Sequence, residues 1–365
     1  MDRAQSVPLM HASAVTPDPP ARRAAPLPPI HALFTRRIRG DDALLELARL
    51  RFAQAGMAAE LYADTPGQLE QVLRFVPPHP SLPTVHMNRG LNLLREADLG
   101  VVEDFAGRFA GRLAGMVIHD TAEMGVQTES LVAAMRKLNA RLLQRPGAPK
   151  VFIEYAAGLE PAKFAEIAGA LQDLEWISCC IDVGHVGIRQ ASAKFARLHP
   201  GLSLRSLTPA DARLPGLVTC VQDAVRSALP DVIELTRSIG GLGKHVHFHL
   251  HDGHPLVGGL SDHFSFLTRL PIPFDHEGRR SLSMLYGPTG LAAIVSEATR
   301  ACGIGGVSFT LEIHQVEGRL PLADTGAEGL FRGWMDLTNA ERMNHWLAVM
   351  AENAALVEAS LPAAA

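Results

Sequence analysis

The chain has 365 residues, 47% hydrophobic and 20% charged, so it can bury a sizeable core and is not disordered throughout. Lys and Arg total 34 and Asp and Glu total 38, which gives a net charge of −4. Proteins dedicated to nucleic acids usually carry a basic excess that neutralises phosphates, so nucleic acid is not an expected partner. The four cysteines form no C-x-x-C motif, which disfavours a cysteine zinc site or a disulfide framework. Without a membrane-length apolar run or a signal-like apolar core, we expect a cytoplasmic protein.

The first part of the chain differs in composition from the rest. Residues 1–29 contain seven prolines among alanines, which predicts a flexible or polyproline-like tail. From residue 30 onward, short apolar runs typical of strands alternate with longer segments of helical periodicity. The predicted strands are 30–34, 58–63, 83–88, 115–119, 151–155, 177–182, 245–250 and 307–313. Parallel strands need crossover helices and a closed barrel has no edge, so residues 30–365 are predicted to form a (β/α)8 TIM barrel.

Two segments depart from a simple strand–helix repeat. Between the sixth and seventh strands we expect an inserted loop at about 186–216, followed by a helix near 217–239. A C-terminal helix is predicted after Thr338. Capping residues mark several helix boundaries. The predicted N-caps are Asp41, Thr128, Thr289 and Thr338, and the predicted C-caps are Gly56 and Gly303.

Every predicted strand from the third to the eighth ends in an imidazole or a carboxylate. These residues are His86, His119, Asp120, Glu154, Asp182, His185, His249, His251, Asp252 and Glu312. Barrel active sites lie at the carboxyl ends of the strands. A single buried polar group usually finds a hydrogen-bond partner within the protein. Polar groups at six successive strand ends would each need such a partner, whereas one shared divalent cation satisfies them together. Nitrogen and oxygen ligands without thiolate favour zinc, manganese, iron or cobalt.

The seventh strand carries four histidines with a period of two, from His245 to His251. Side chains two apart lie on one face of a strand, so all four are predicted to face the same side. We expect the two nearest the carboxyl end to be ligand candidates. His245 and His247 are expected to lie deeper in the barrel or at its opposite mouth.

Taken in order, these motifs resemble the xylose isomerase-like TIM barrels over about residues 30–315. This superfamily contains sugar and sugar phosphate isomerases and epimerases, and the endonuclease IV type of AP endonuclease. The resemblance to the isomerase branch implies one metal held by a strand-end glutamate, the aspartate of D-x-x-H, the histidine of H-x-x-D and a final glutamate. The matching residues here are Glu154, Asp182, His249 and Glu312.

The resemblance to the endonuclease IV branch implies further ligands for up to three zinc ions. The matching residues are His86, His119, His185, Asp262 and His263. The chain departs from that pattern in two places. Asp262 and His263 are adjacent, whereas the family separates this pair by one residue. The family's following Gly-Glu-Gly is also missing, and Tyr286-Gly-Pro-Thr-Gly290 occurs later instead. As the start of a helix, this last segment is either a phosphate site or an ordinary cap.

The leading interpretation is a divalent-metal-dependent isomerase or epimerase that acts on a sugar, sugar phosphate or related polyol. Glu154 and Glu312 would move protons on opposite faces of an enediolate, and His185 would orient a substrate oxygen. The arginine that epimerases often carry after H-x-x-D is absent. The alternative is a multi-zinc phosphoesterase, in which the additional ligands hold further ions. A metal-dependent lyase or oxidative enzyme, a non-catalytic metal scaffold and assembly into a homo-oligomer stay open.

Overall fold

The structure is a computed structural model that describes most of the chain. The described residues are 27–33, 42–156, 158–207, 211–254, 263–267, 275–276, 279–280, 284–313 and 340–362. The predicted tail therefore lies almost entirely outside them. The predicted ligand Asp262 and the predicted N-caps Asp41 and Thr338 also lie outside the described residues.

Eight parallel strands close into a barrel, which confirms the predicted (β/α)8 fold. The strands are β1 (Ile30–Leu33), β2 (Ala58–Tyr62), β3 (Thr84–His86), β4 (Gly115–His119), β5 (Lys150–Tyr155), β6 (Ile177–Asp182), β7 (Val246–Leu250) and β8 (Val307–Leu311). Each strand pairs with its neighbour in the chain, and pairing of β1 with β8 completes the ring. The carboxyl ends of all eight strands consequently meet at one mouth of the barrel.

Helices connect the strands around the outside of the barrel. They are α1 (Asp42–Gln54), α2 (Pro66–Leu73), α3 (Glu96–Arg108), α4 (Ala122–Val126), α5 (Thr128–Leu143), α6 (Pro161–Ala170), α7 (Val183–Leu198), α8 (Leu214–Arg226), α9 (Ala228–Gly240), α10 (Gly287–Cys302) and α11 (Ala340–Ala359). The last of these agrees with the predicted C-terminal helix. Among the described helices, none has the length and apolar character needed to cross a membrane.

Alternating side chains separate the two faces of the barrel wall. Along β7, Val246, Phe248 and Leu250 belong to the apolar core between strands and helices. His247 and His249, on the intervening positions, are fully buried and contact polar groups of other strands. The period-two histidine pattern therefore fills the barrel interior, as predicted.

The prediction of an inserted loop at about 186–216 is wrong for its first half. Helix α7 begins as soon as β6 ends, and it continues to Leu198. Its buried residues Ile188, Ala191 and Phe195 recur at helical spacing and form one apolar face. That face packs with side chains of α8 in a hydrophobic cluster of its own. The single helix predicted near 217–239 is in fact two helices, α8 and α9, that meet at Ser227.

Two predicted N-caps are also displaced. Thr128 is the first residue of α5, and its hydroxyl donates to the Gly125 carbonyl 3.1 Å away. Thr289 lies inside α10, which begins at Gly287. Gly303 ends that helix with a φ of 76°, as expected of a C-terminal glycine.

Candidate metal centre

Strand register brings the first predicted ligand set together. Parallel pairing sets Asp182 opposite His249 and Glu154 opposite His119. Each of Glu154, Asp182, His249 and Glu312 is at most 2% exposed, and each offers a ligand atom within 4.8 Å of the others. The four side chains that the sequence assigns to one cation therefore converge. We call this set group A.

Distances within group A suit an ion at its centre. His249 Nδ1 lies 2.9 Å from Glu154 Oε1 and 2.9 Å from Glu312 Oε2. Ligands that are each about 2.1 Å from one cation are about 3.0–3.4 Å from one another. Within the described part of the chain, His249 Nδ1 and Asp182 Oδ2 make no hydrogen bond of normal geometry, although both are buried. Buried polar atoms that face one another without hydrogen bonding fit a ligand shell.

A second group shares Glu154. His86 Nε2 and His119 Nε2 lie 3.2 and 3.1 Å from Glu154 Oε2, and 3.1 Å from each other. His86 Nδ1 lies 3.1 Å from the Met87 carbonyl oxygen. Because a carbonyl can only accept, Nδ1 carries the proton in neutral His86 and Nε2 presents its lone pair. We call His86, His119 and Glu154 group B.

A third group shares Asp182. Its members are Asp182, His185, His251 and His263, and we call them group C. His251 Nε2 lies 2.9 Å from Asp182 Oδ1, and His185 Nε2 lies 3.7 Å from Asp182 Oδ2. The rings of His251 and His263 stack with centroids 3.8 Å apart. The structure therefore brings His185 and His263 together with His251, which the period-two pattern of the seventh strand already made a ligand candidate.

Charge interactions dominate the protonation of these groups. Burial alone would raise the pKa of Glu154, but His119, His249 and His86 hold it well below its usual range. Burial would lower the pKa of His249, but Cys180, Glu60 and the group A glutamates raise it well above its usual range. Glu154 is therefore ionised, and His249 holds a proton that a bound cation would displace.

Two residues of β2 were missed by sequence reasoning. Glu60 is fully buried inside the barrel and lies 2.9 Å from His249 Nε2. The Tyr62 hydroxyl donates to Glu312 Oε1 over 3.2 Å. The segment AAELYA predicts a strand and no site residue. Its signal was a charged residue inside an otherwise apolar run, two positions before Tyr62.

Two strand-end carboxylates bind backbone instead of joining the metal groups. Asp120 accepts hydrogen bonds from the amides of Ala156, Gly158 and Leu159 and so holds the loop after β5. Asp252 accepts from the amides of Gly253, Tyr286 and Gly287. The first N–H groups of the Tyr286–Gly290 segment therefore donate to Asp252. This disfavours a phosphate site there, which is one of the two alternatives that the sequence left open. Burial raises the pKa of Asp252 to about 6 despite these donors.

Comparisons with known proteins give no family. No family model and no curated protein matches the chain. A thermostable mutant of a xylanase from Cellvibrio japonicus is structurally similar, with a TM-score of 0.40, 10% identity and coverage of 79% of this chain and 86% of that chain. A citrate lyase from Burkholderia xenovorans has a TM-score of 0.37, 12% identity and coverage of 92% and 94%. These low values carry no functional assignment.

Proposed function

We propose that this protein is a multi-metal hydrolase of a small phosphoester. The observation that carries the proposal is the position of Glu154 between two ligand groups. Its Oε1 faces His249 of group A, and its Oε2 faces His86 and His119 of group B. A carboxylate whose two oxygens serve different ligand groups is suited to bridging two cations, as in two-metal hydrolases.

Group B supports this reading over the single-metal interpretation favoured from the sequence. In neutral His86 the lone pair of Nε2 faces Glu154 Oε2, which is also an acceptor, and burial lowers the pKa of His86 but Glu154 raises it above its usual value. Within the described residues, Glu154 Oε2 makes no hydrogen bond of normal geometry. Two buried acceptors 3.2 Å apart repel each other unless a proton or a cation lies between them. A cation at this position would also bind His119 and so satisfy the side chains of His86, His119 and Glu154 together.

The chain's own residues supply the remaining roles. Divalent cations on both sides of Glu154 would acidify a water molecule and neutralise the charge that develops on phosphoryl oxygens. Tyr62 fixes Glu312 through its hydroxyl. His185 lies 3.7 Å from Asp182 and its side chain is 25% exposed, so it would orient a substrate oxygen at the mouth. Arg89, exposed just after β3, would attract an anionic substrate.

The isomerase or epimerase remains the second candidate, because one observation favours it. Glu154 and Glu312 each approach the same nitrogen of His249, both at 2.9 Å. Two carboxylates that flank one position can exchange protons with opposite faces of a bound carbon skeleton. That chemistry requires only the group A cation.

Metal analysis of the full chain separates the two candidates. We expect the parent protein to hold two or more equivalents of zinc or manganese after dialysis, and His86→Ala to lose one of them. His79→Ala is the matched control, since His79 contacts Ser81 and Gly56 outside the three groups and its loss should leave metal content unchanged. One equivalent in both the parent and His86→Ala would overturn the hydrolase proposal in favour of the isomerase.

Turnover gives an independent readout of the same choice. We expect the loaded parent to hydrolyse a chromogenic phosphomonoester or phosphodiester, and His86→Ala to lose most of this activity. Interconversion of an aldose and a ketose by both proteins, without phosphoester hydrolysis, would contradict the proposal.

A further inference from the structure

A buried carboxylate lies inside the barrel directly beneath group A. Glu60 is on β2 and is 0% exposed. Its Oε2 accepts hydrogen bonds from the hydroxyls of Thr84, at 2.7 Å, and Thr310, at 2.8 Å. His247 Nε2 lies 3.0 Å from the same oxygen. Donors from three different strands therefore hold this one oxygen, so the carboxylate cannot rotate freely.

The other oxygen of Glu60 faces a candidate metal ligand. Oε1 lies 2.9 Å from His249 Nε2. Both atoms are buried, and neither makes a hydrogen bond of normal geometry within the part of the chain that the structure describes. The opposite nitrogen of the same ring, Nδ1, faces Glu154 and Glu312. The imidazole thus lies between an acceptor below and the ligand groups above.

We infer that Glu60 is a positioning residue that fixes the tautomer and ring orientation of His249 for metal binding. A neutral imidazole carries one N–H and one lone pair. An ionised carboxylate at Nε2 retains the proton there, and the lone pair is then on Nδ1, directed at the centre of group A. Carboxylate–histidine–metal arrangements orient ligands in this way. The inference rests on the proposed metal binding, and it assigns a role to a residue that would not itself touch the cation.

The variant Glu60→Gln tests this role because it preserves the shape of the side chain. Thr84 and Thr310 both donate to the position of Oε2, so the amide carbonyl is expected to take that position. The amide NH2 group then faces His249 Nε2. A donor at this place requires Nε2 to accept, which moves the ring proton to Nδ1 and blocks the ligand atom.

We expect Glu60→Gln to bind zinc about 10- to 100-fold more weakly than the parent in competition with a chromophoric chelator. His79→Gln is the control, because His79 contacts Ser81 and Gly56 and belongs to none of the three ligand groups. Its zinc affinity should equal that of the parent. Zinc binding by the parent that Glu60→Gln retains in full overturns this inference alone. Absence of zinc binding by the parent overturns the proposed function as well.

A second measurement does not depend on the variant folding. Long-range ¹H–¹⁵N correlation spectra of the zinc-loaded parent report which nitrogen of His249 carries the proton. We expect a proton on Nε2 and a metal-shifted Nδ1. A metal-shifted Nε2 with the proton on Nδ1 contradicts the inference, whatever the variant shows.

Discussion

Because Gly184 has no side chain, the start of α7 can lie directly against group C. A Cβ atom built on Gly184 would lie 1.9 Å from His251 Cε1 and 2.2 Å from its Nε2. The imidazole that contacts Asp182 therefore packs directly on the backbone of the first turn of α7. The glycine of Asp-Val-Gly-His is required by this approach, since any other residue would occupy the place of the ring.

We expect Gly184→Ala to displace His251 and to lower the free energy of unfolding by about 1–3 kcal/mol, the usual cost of overpacking. Gly216→Ala is the matched control, because Gly216 also lies in the first turn of a helix and its Cβ would meet nothing within 4 Å. Urea denaturation of both variants compares them. The control should be neutral or stabilised by up to about 1 kcal/mol, since alanine favours helix. Equal stability of the two variants would contradict the close packing inferred for Gly184.

Some site residues were predictable from the sequence and others were not, for a physical reason. Glu154, Asp182, His249 and Glu312 stand at the ends of apolar strands, where the barrel geometry alone brings them together. Asp120 and Asp252 occupy equivalent places in the sequence but bind backbone amides of returning loops. Which loop reaches a carboxylate depends on tertiary structure, so the sequence could not separate these two cases. Glu60 was missed because it precedes the end of its strand.

At the scale of elements, helix α7 links fold and site. Asp182 Oδ1 accepts a hydrogen bond from the His185 amide over 2.8 Å and so caps the helix. The same carboxylate contacts His251 and contributes to groups A and C. One residue therefore begins the helix and contributes to the candidate metal centre.

Two substitutions at Asp182 separate these functions. Asp182→Asn keeps a carbonyl oxygen for the cap but loses the negative charge, so we expect a stable protein with weakened zinc binding. Asp182→Ala loses the cap as well, and its metal-free form should be about 0.5–2 kcal/mol less stable than Asp182→Asn. Urea denaturation in the presence of a chelator measures this difference. Equal stability of the two metal-free variants would show that the cap contributes nothing.

The sequence concealed α7 for a reason that the structure explains. Its first turns contain Gly184 and Gly187, and glycine disfavours helix. Both glycines are required by packing, since a Cβ on Gly187 would lie 2.0 Å from the Tyr286 hydroxyl. That hydroxyl donates to the Val183 carbonyl at 2.6 Å and holds the start of α7 against the segment before α10. Tertiary contacts outweigh local propensity here, and these contacts are not visible in a local pattern.

Across the whole molecule, the barrel was the most predictable feature. All eight predicted strands are present, because short apolar runs between amphipathic segments leave few other arrangements of the chain. The two ends of the barrel differ in chemistry. The carboxyl end collects the three candidate ligand groups, whereas His31 and His245 lie near the opposite end. Burial is the main cause that lowers the pKa of each of these two histidines to about 4.

These two histidines predict acid sensitivity of the fold. The unfolded chain takes up protons at histidine from about pH 6.5, whereas folded His31 and His245 resist protonation down to about pH 4. The contribution of these two histidines to the free energy of unfolding should therefore be fully retained above about pH 6.5, be lost as the pH is lowered from there to about 4, and change little below. Each such histidine lowers the free energy of unfolding by roughly 3 kcal/mol as the pH falls through this window.

The variant His31→Gln removes one of these two histidines. Its free energy of unfolding, measured in urea between pH 8 and pH 4, should fall less steeply than that of the parent, by up to about 1.4 kcal/mol per pH unit. His79→Gln, the same substitution at the less buried histidine before β3, should reproduce the parent slope. A chelator in every sample removes the contribution of bound metal from the comparison. Parallel curves for the parent and His31→Gln would mean that His31 accepts a proton in the folded state as readily as in the unfolded chain.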